Sequence, residues 1–147
     1  MARLTLVRAV AASPERVRTA YRDWVLSDAS AKPNERARRA WAVDDQHLRF
    51  TRDGRTRMGE VHVEGIVTFE ADDRWDARRE ITLNGIPYAR ESERYHIAGR
   101  GEASDLTIDF EVHHRAVLGE LLLDLGRKRL LLERSRELDR WLPRSGD

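Results

Sequence analysis

Two arginines in the middle of the chain, Arg79 and Arg90, carry the clearest hint of chemistry. With Asn84-Gly85 as a two-residue hairpin turn, Leu83 lies opposite Ile86, Ile81 opposite Tyr88, and Arg79 opposite Arg90. That places both guanidinium groups on the apolar side of a sheet, level with Gly65 and Phe110. Directly opposed like charges destabilise a sheet, and an unpaired buried cation demands an acid or water. Two readings follow. In one, the pair holds the anionic head of an otherwise apolar ligand, to which arginine's planar fork is suited. Gly65 leaves room for Arg79, and Ser92 lies near the middle of the same face. Trp75, Tyr88, Phe110 and a leucine stripe at Leu118, Leu122 and Leu125 receive the ligand's body. In the other, Glu133 or an acid of the first helix neutralises the arginines, or a bulge turns the strand and points them outward.

Other chemistries find less support. Glu60, His62 and Glu64 alternate onto one side of a strand as metal ligands could, but that side is expected to face water. His113 and His114 are adjacent in a strand and point to opposite faces. Ser92 has Arg90 and Arg94 as strand neighbours rather than a base, and there is no Gly-x-Ser-x-Gly elbow or glycine-rich phosphate loop. Tyr88 and His96 could act as an acid–base pair, yet along one strand they stand roughly 26 Å apart. The chain has no cysteine, which excludes disulfides, Cys-ligated metals and thiol catalysis. No catalytic residue, metal or cofactor is expected.

The elements that position these residues follow from periodicity. Residues 3–10 read as a strand. Ser13-Pro14-Glu15 then starts a helix, with a capping hydroxyl, a proline suited to the first position and an acid at the positive end of the dipole. Val17, Tyr21, Trp24 and Val25 follow at helical spacing. Residues 27–35 read as a short second helix or an irregular loop. From 38 to 115 the period becomes two, with strands at 38–43, 47–52, 56–69, 75–83, 86–98 and 103–114. The connections are Asp44-Asp45-Gln46, Asp53-Gly54, the stretch around Asp72-Asp73, Asn84-Gly85 and Gly99-Arg100-Gly101. These turns gather Trp41, Val43, Leu48, Phe50, Val63, Val67, Phe69, Trp75 and Ala77 on one face. Asp76, Arg78, Glu80, Glu91, Glu93, Asp105, Thr107, Asp109 and Glu111 fall on the other, as in an antiparallel meander with one buried side. Residues 116–142 return to helical period, with Leu118, Leu121, Leu122, Leu125 and Leu132 on one stripe, and Pro143 stops them. Such a helix is about 40 Å long and crosses the whole sheet.

The 147 residues suit one domain, 1–147. Basic residues number 27 against 26 acidic ones, with the signs interleaved, whereas nucleic-acid binders concentrate a basic surplus. Nucleic acid is therefore not an expected partner. No apolar run approaches the roughly 20 residues of a membrane span, and the N-terminus lacks signal-peptide features, so a cytoplasmic location is expected.

The stretch from Leu6 to Val17, a strand running into Ser13-Pro14-Glu15-Arg16-Val17, resembles the opening of START-like or SRPBCC proteins. The order strand, helix pair, six-stranded meander and long terminal helix is similar to the same superfamily, which includes Bet v 1-like plant proteins, START lipid-transfer domains and polyketide cyclases. The resemblance implies an α+β helix-grip fold, a curved seven-stranded antiparallel sheet wrapped on a long C-terminal helix, with two short helices after the first strand. It also implies a cavity that often receives a hydrophobic molecule. The expected function is binding or carrying a hydrophobic small molecule, lipid-like or polycyclic. A cyclase or dehydratase enzyme and a protein-interaction module are the alternatives, because fold alone does not settle function.

Overall fold

A computed structural model describes residues 2–27, 35–115 and 126–144. Strand β1 (Ala2–Val10) leads into helix α1 (Pro14–Leu26), followed by β2 (Glu35–Ala42), β3 (His47–Thr56) and β4 (Gly59–Ala71). Then come β5 (Arg74–Leu83), β6 (Ile86–Arg100), β7 (Ala103–His114) and helix α2 (Arg127–Trp141). The helix start is built as its residues dictate, with Ser13 Oγ accepting from the Arg16 N–H at 3.4 Å and Pro14 in the first turn. The strands form a seven-stranded sheet in the order β1-β7-β6-β5-β4-β3-β2, every pair antiparallel. Among the described residues no helix is long and apolar enough to cross a membrane.

Both helices bury one stripe against the concave face. Val17, Tyr21 and Val25 of α1 and Leu138 and Trp141 of α2 join Leu48, Phe50, Val67, Phe69, Trp75, Tyr95 and Ile97 in one core. Tyr21 is its hub, with ring centroids 4.8 Å from Tyr95, 5.3 Å from Trp141 and 5.4 Å from Trp75. Leu130 and Leu131 pack on a second cluster of Leu4, Phe110 and Val112. Leu132, expected on the buried stripe, is 52% exposed. The expected contacts of Leu118, Leu122 and Leu125 lie outside the described residues, as does most of the short second helix or loop.

The β4–β5 ladder sets Phe69 against Trp75, Val67 against Ala77, Gly65 against Arg79 and Val63 against Ile81, which keeps Gly65 level with Arg79 and the apolar residues of both strands on one face, as expected. Asn84 (φ 52°) and Gly85 (φ 79°) form the β5–β6 turn with the positive φ angles that a type I′ hairpin needs. Three details differ. Asp53-Gly54 is no turn, since β3 runs on to Thr56 and pairs Asp53 with His62 and Gly54 with Val61. The slip spans an even number of residues, so Leu48 and Phe50 keep the buried face. Trp41 and Val43 are exposed, with Trp41 opposite the outward Arg49. The third difference decides the site.

Between Ile81/Ala89 and Thr82/Pro87 the ladder shifts by one residue, so Tyr88 is an extra residue in β6. Beyond this bulge every β6 side chain changes face. Arg79 now lies opposite Glu91, and Glu80 opposite Arg90. The like-charge opposition of Arg79 and Arg90 gives way to two complementary cross-strand pairs, which favours the bulged register. The β6–β7 turn also moves, pairing Arg100 with Ala103, and the second odd shift returns Ile108, Phe110 and Val112 to the core.

Candidate functional site

Between the concave face of the sheet and the helices lies a cavity of about 220 Å³. One wall is apolar, made by Trp24 and Val25 of α1 with Phe50, Val61, Val63 and Ile81 of β3, β4 and β5. The strand residues are alternate inward positions, as the pleat requires.

The other wall is ionic. Arg79 donates from Nε to Glu91 Oε2 at 3.0 Å and from Nη2 to Glu93 Oε1. Arg134 reaches across from α2, with Nη1 2.7 Å from Glu93 Oε1 and Nη2 donating to Glu91 Oε2 at 3.2 Å. Glu137 Oε2 lies 3.5 Å from the same guanidinium, and Tyr95 donates its hydroxyl to Glu93 Oε2. Arg134 also covers the Phe110 ring at 4.2 Å. Glu93 is only 3% exposed. Burial alone would raise its pKa, but the guanidinium groups of Arg79 and Arg134 outweigh burial and hold the carboxyl below its usual range. Burial, reinforced by Glu93, pushes the phenols of Tyr95 and Tyr21 well above their usual value.

This geometry corrects the paired-arginine expectation. Arg90 is exposed on the outer face, and Arg79 is enclosed by two carboxylates. Glu133 plays no part, being paired with Arg129 at the surface. Glu91 and Glu93, expected on the wet face, point into the cavity because of the bulge. Ser92 therefore turns outward, opposite Arg78 and Glu111. Gly65 does lie opposite Arg79, but the ring of Phe50 fills the space above it, where an added Cβ would fall 2.0 Å from Cζ. Trp75 is buried in the core and stacked on Tyr95, ring centroids 5.2 Å apart. Phe110 lies beneath Arg134, and Tyr88 is half-buried at the bulge against the His114 ring. None of Trp75, Tyr88 and Phe110 lines this cavity. The residues missed from sequence are Glu91, Glu93, Arg134 and Glu137. A signal for Arg134 was available, since it stands four residues from both Leu130 and Leu138 on the inward side of α2.

On the outer face, His62 is hydrogen-bonded to Asp53 and approaches Glu64 at 3.4 Å. No group of metal-ligating side chains forms among the described residues. The hydrogen bond to Asp53, and secondarily Glu64, raises the imidazole's pKa from its usual 6.5. Since the folded value is the higher one, the stabilisation is complete below about 6.5 and is lost as pH rises through the folded value. An NMR titration should place the His62 midpoint above 6.5, and Asp53→Asn should return it toward that value.

Neither a protein-family model nor a curated protein matches the sequence. Solved structures do match. A START superfamily protein from Mycobacterium smegmatis superposes with a TM-score of 0.63 over 95% of this chain and 96% of that one, at 16% identity. The chain has the START-like helix-grip fold. The same helix grip is found in TTHA0849 from Thermus thermophilus, with a TM-score of 0.66, 14% identity and coverage of 93% and 91%. It is found again in the Zhui aromatase/cyclase from Streptomyces sp. R1128, with a TM-score of 0.60, 14% identity and coverage of 79% and 70%. In helix-grip terms α2 is the gripped element, and Arg134 is the residue through which the ionic wall holds it.

Proposed function

We propose that this chain is a binding or carrier protein that holds a hydrophobic small molecule between the sheet and the terminal helix. The observation that supports the reading is the pairing of an apolar wall with an ionic wall whose charges already satisfy one another. The ligand's body packs on Trp24, Val25, Phe50, Val61, Val63 and Ile81. The anionic head once suggested by Arg79 and Arg90 gains no net attraction, because Arg52, Arg79 and Arg134 share the cavity lining with Glu35, Glu91, Glu93 and Glu137. A cavity of about 150 Å³ takes benzene. The volume of about 220 Å³ here suits a ligand of about one or two rings rather than a polycyclic one.

Binding is favoured over cyclase-type catalysis by the state of the buried groups. Glu93 is held ionised between two guanidinium groups, and the phenols of Tyr21 and Tyr95 are held protonated. A general acid or base works best with a pKa near the working pH, and these groups are driven away from neutrality. The test is a native mass spectrum of protein purified from its own host. A small apolar molecule retained by the folded chain and released on denaturation is expected. Turnover of a polyketide-like substrate without stable retention would favour the enzyme instead.

A further inference from the structure

At the β2–β3 side of the cavity the polar groups are in a different state from those of the ionic wall. Glu35 opens β2 opposite Gly54, and Arg52 stands two residues before Gly54 on the inward side of β3, so both side chains reach the cavity lining. Their side chains are only 10% and 18% exposed. Arg52 Nη1 approaches Glu35 Oε1 at 3.8 Å, close enough for an ion pair but too far for a hydrogen bond. Glu35 Oε2 and Arg52 Nε are buried and have no hydrogen-bond partner among the described residues. Buried polar atoms are nearly always hydrogen-bonded, so a pair with this much unused capacity beside a cavity calls for an explanation. On the opposite wall Arg79, Arg134, Glu91 and Glu93 saturate one another and leave no comparable capacity.

We propose that Glu35 and Arg52 form the head-group site of the cavity and select a ligand whose polar end is uncharged and offers both a donor and an acceptor, a hydroxyl or an amide. The proposal rests on the reading of the cavity as a ligand site. A carboxylate only accepts and a guanidinium only donates. A hydroxyl seated between them accepts from Arg52 and donates to Glu35, and both hydrogen bonds are charge-assisted. A carboxylate ligand has no proton for Glu35 and is repelled by it, while an ammonium ligand is repelled by Arg52. The Arg52 guanidinium also lies over the Phe50 ring, its Cζ 4.9 Å from the ring centroid. Because Phe50 belongs to the apolar wall, the head group and the body of a small aromatic ligand meet adjoining surfaces.

The test titrates wild type, Glu35→Gln and Arg52→Met with naphthalene, 2-naphthol, 2-naphthoate and 2-naphthylmethylammonium. Wild type should bind 2-naphthol about ten-fold or more tightly than naphthalene or either charged probe. In Arg52→Met the preference for 2-naphthol over naphthalene should shrink about ten-fold. Glu35→Gln should weaken 2-naphthol and strengthen 2-naphthoate, because the repelling charge is gone while Arg52 remains. Naphthalene needs no head group and so reports that each variant's cavity is intact; should one variant lose it, the other carries the test. Equal affinity of wild type for 2-naphthol and naphthalene would overturn the head-group site while leaving the cavity reading in place. So would a head-group preference that is the same in the folded variants as in wild type. Failure of wild type to bind any of the four would overturn the cavity reading itself, and this proposal with it.

Discussion

Replacing Glu93 by glutamine is expected to lower the free energy of unfolding by about 3–5 kcal/mol, because it removes one partner from a buried charge cluster and strands the others. Glu93 is nearly inaccessible and meets Arg79, Arg134 and Tyr95 at once. Without its charge two largely buried guanidinium groups keep, among the described residues, the carboxylates of Glu91 and Glu137. The effect should be visible as a lower denaturation midpoint in urea at neutral pH with an unchanged slope. It should also depend on pH with a definite sign. The folded-state pKa of Glu93 lies below its ordinary value of 4.5, so its contribution is complete above about 4.5 and is lost as pH falls through the folded value. Wild type and variant should therefore converge in stability at strongly acidic pH. A loss below about 1 kcal/mol at neutral pH would mean that the cluster does not hold α2 to the sheet.

A tryptophan in place of Val63 is expected to abolish uptake of a small aromatic probe. Val63 is a half-buried inward residue of β4, opposite Ile81, and lines the apolar wall. An indole there would occupy much of the cavity of about 220 Å³. Affinity for 2-naphthol should fall at least about a hundred-fold, roughly 2.7 kcal/mol. Overpacking should cost about 1–3 kcal/mol of stability if the ring enters the cavity. Ile66→Trp is the matched control, because Ile66 lies opposite Arg49 and Arg78 on the outer side of the same strand. Its affinity should equal that of wild type. Equal losses in the two variants, or none at Val63, would show that the probe binds elsewhere.

Local signals carried the fold well. Ser13-Pro14-Glu15 caps α1 as its residues require, and Asn84-Gly85 supplies the positive φ angles of its turn. The alternation of Val63, Gly65, Val67 and Phe69 against Trp75, Ala77, Arg79 and Ile81 fixed one strand pair completely. Asp53-Gly54 shows where a local preference loses. The dipeptide favours a tight turn in isolation, but continuing β3 pairs Arg52 with Val63 and lets Asp53 meet His62. The site was less legible because it depends on the bulge at Tyr88, whose one local mark is the adjoining Pro87, a residue that strands accept mainly at edges and bulges. The opposition of Arg79 to Arg90 was a warning that the unbulged register was wrong, since neighbouring acids could relieve it by a one-residue shift. Glu93 and Arg134 come together only through tertiary packing, across β6 and α2, which strand and helix periods read separately cannot show.

The most direct test of the account is an NMR map of where a small aromatic ligand lies on the folded protein. With methyl-labelled protein and bound 2-naphthol, intermolecular NOEs are expected from Val25, Val61, Val63 and Ile81, the methyl-bearing residues of the apolar wall. The exposed methyls of Val7, Val43 and Ile86 should show none. NOEs confined to those exposed residues, or saturable binding that leaves the four cavity residues unperturbed, would contradict a ligand site between the sheet and the terminal helix.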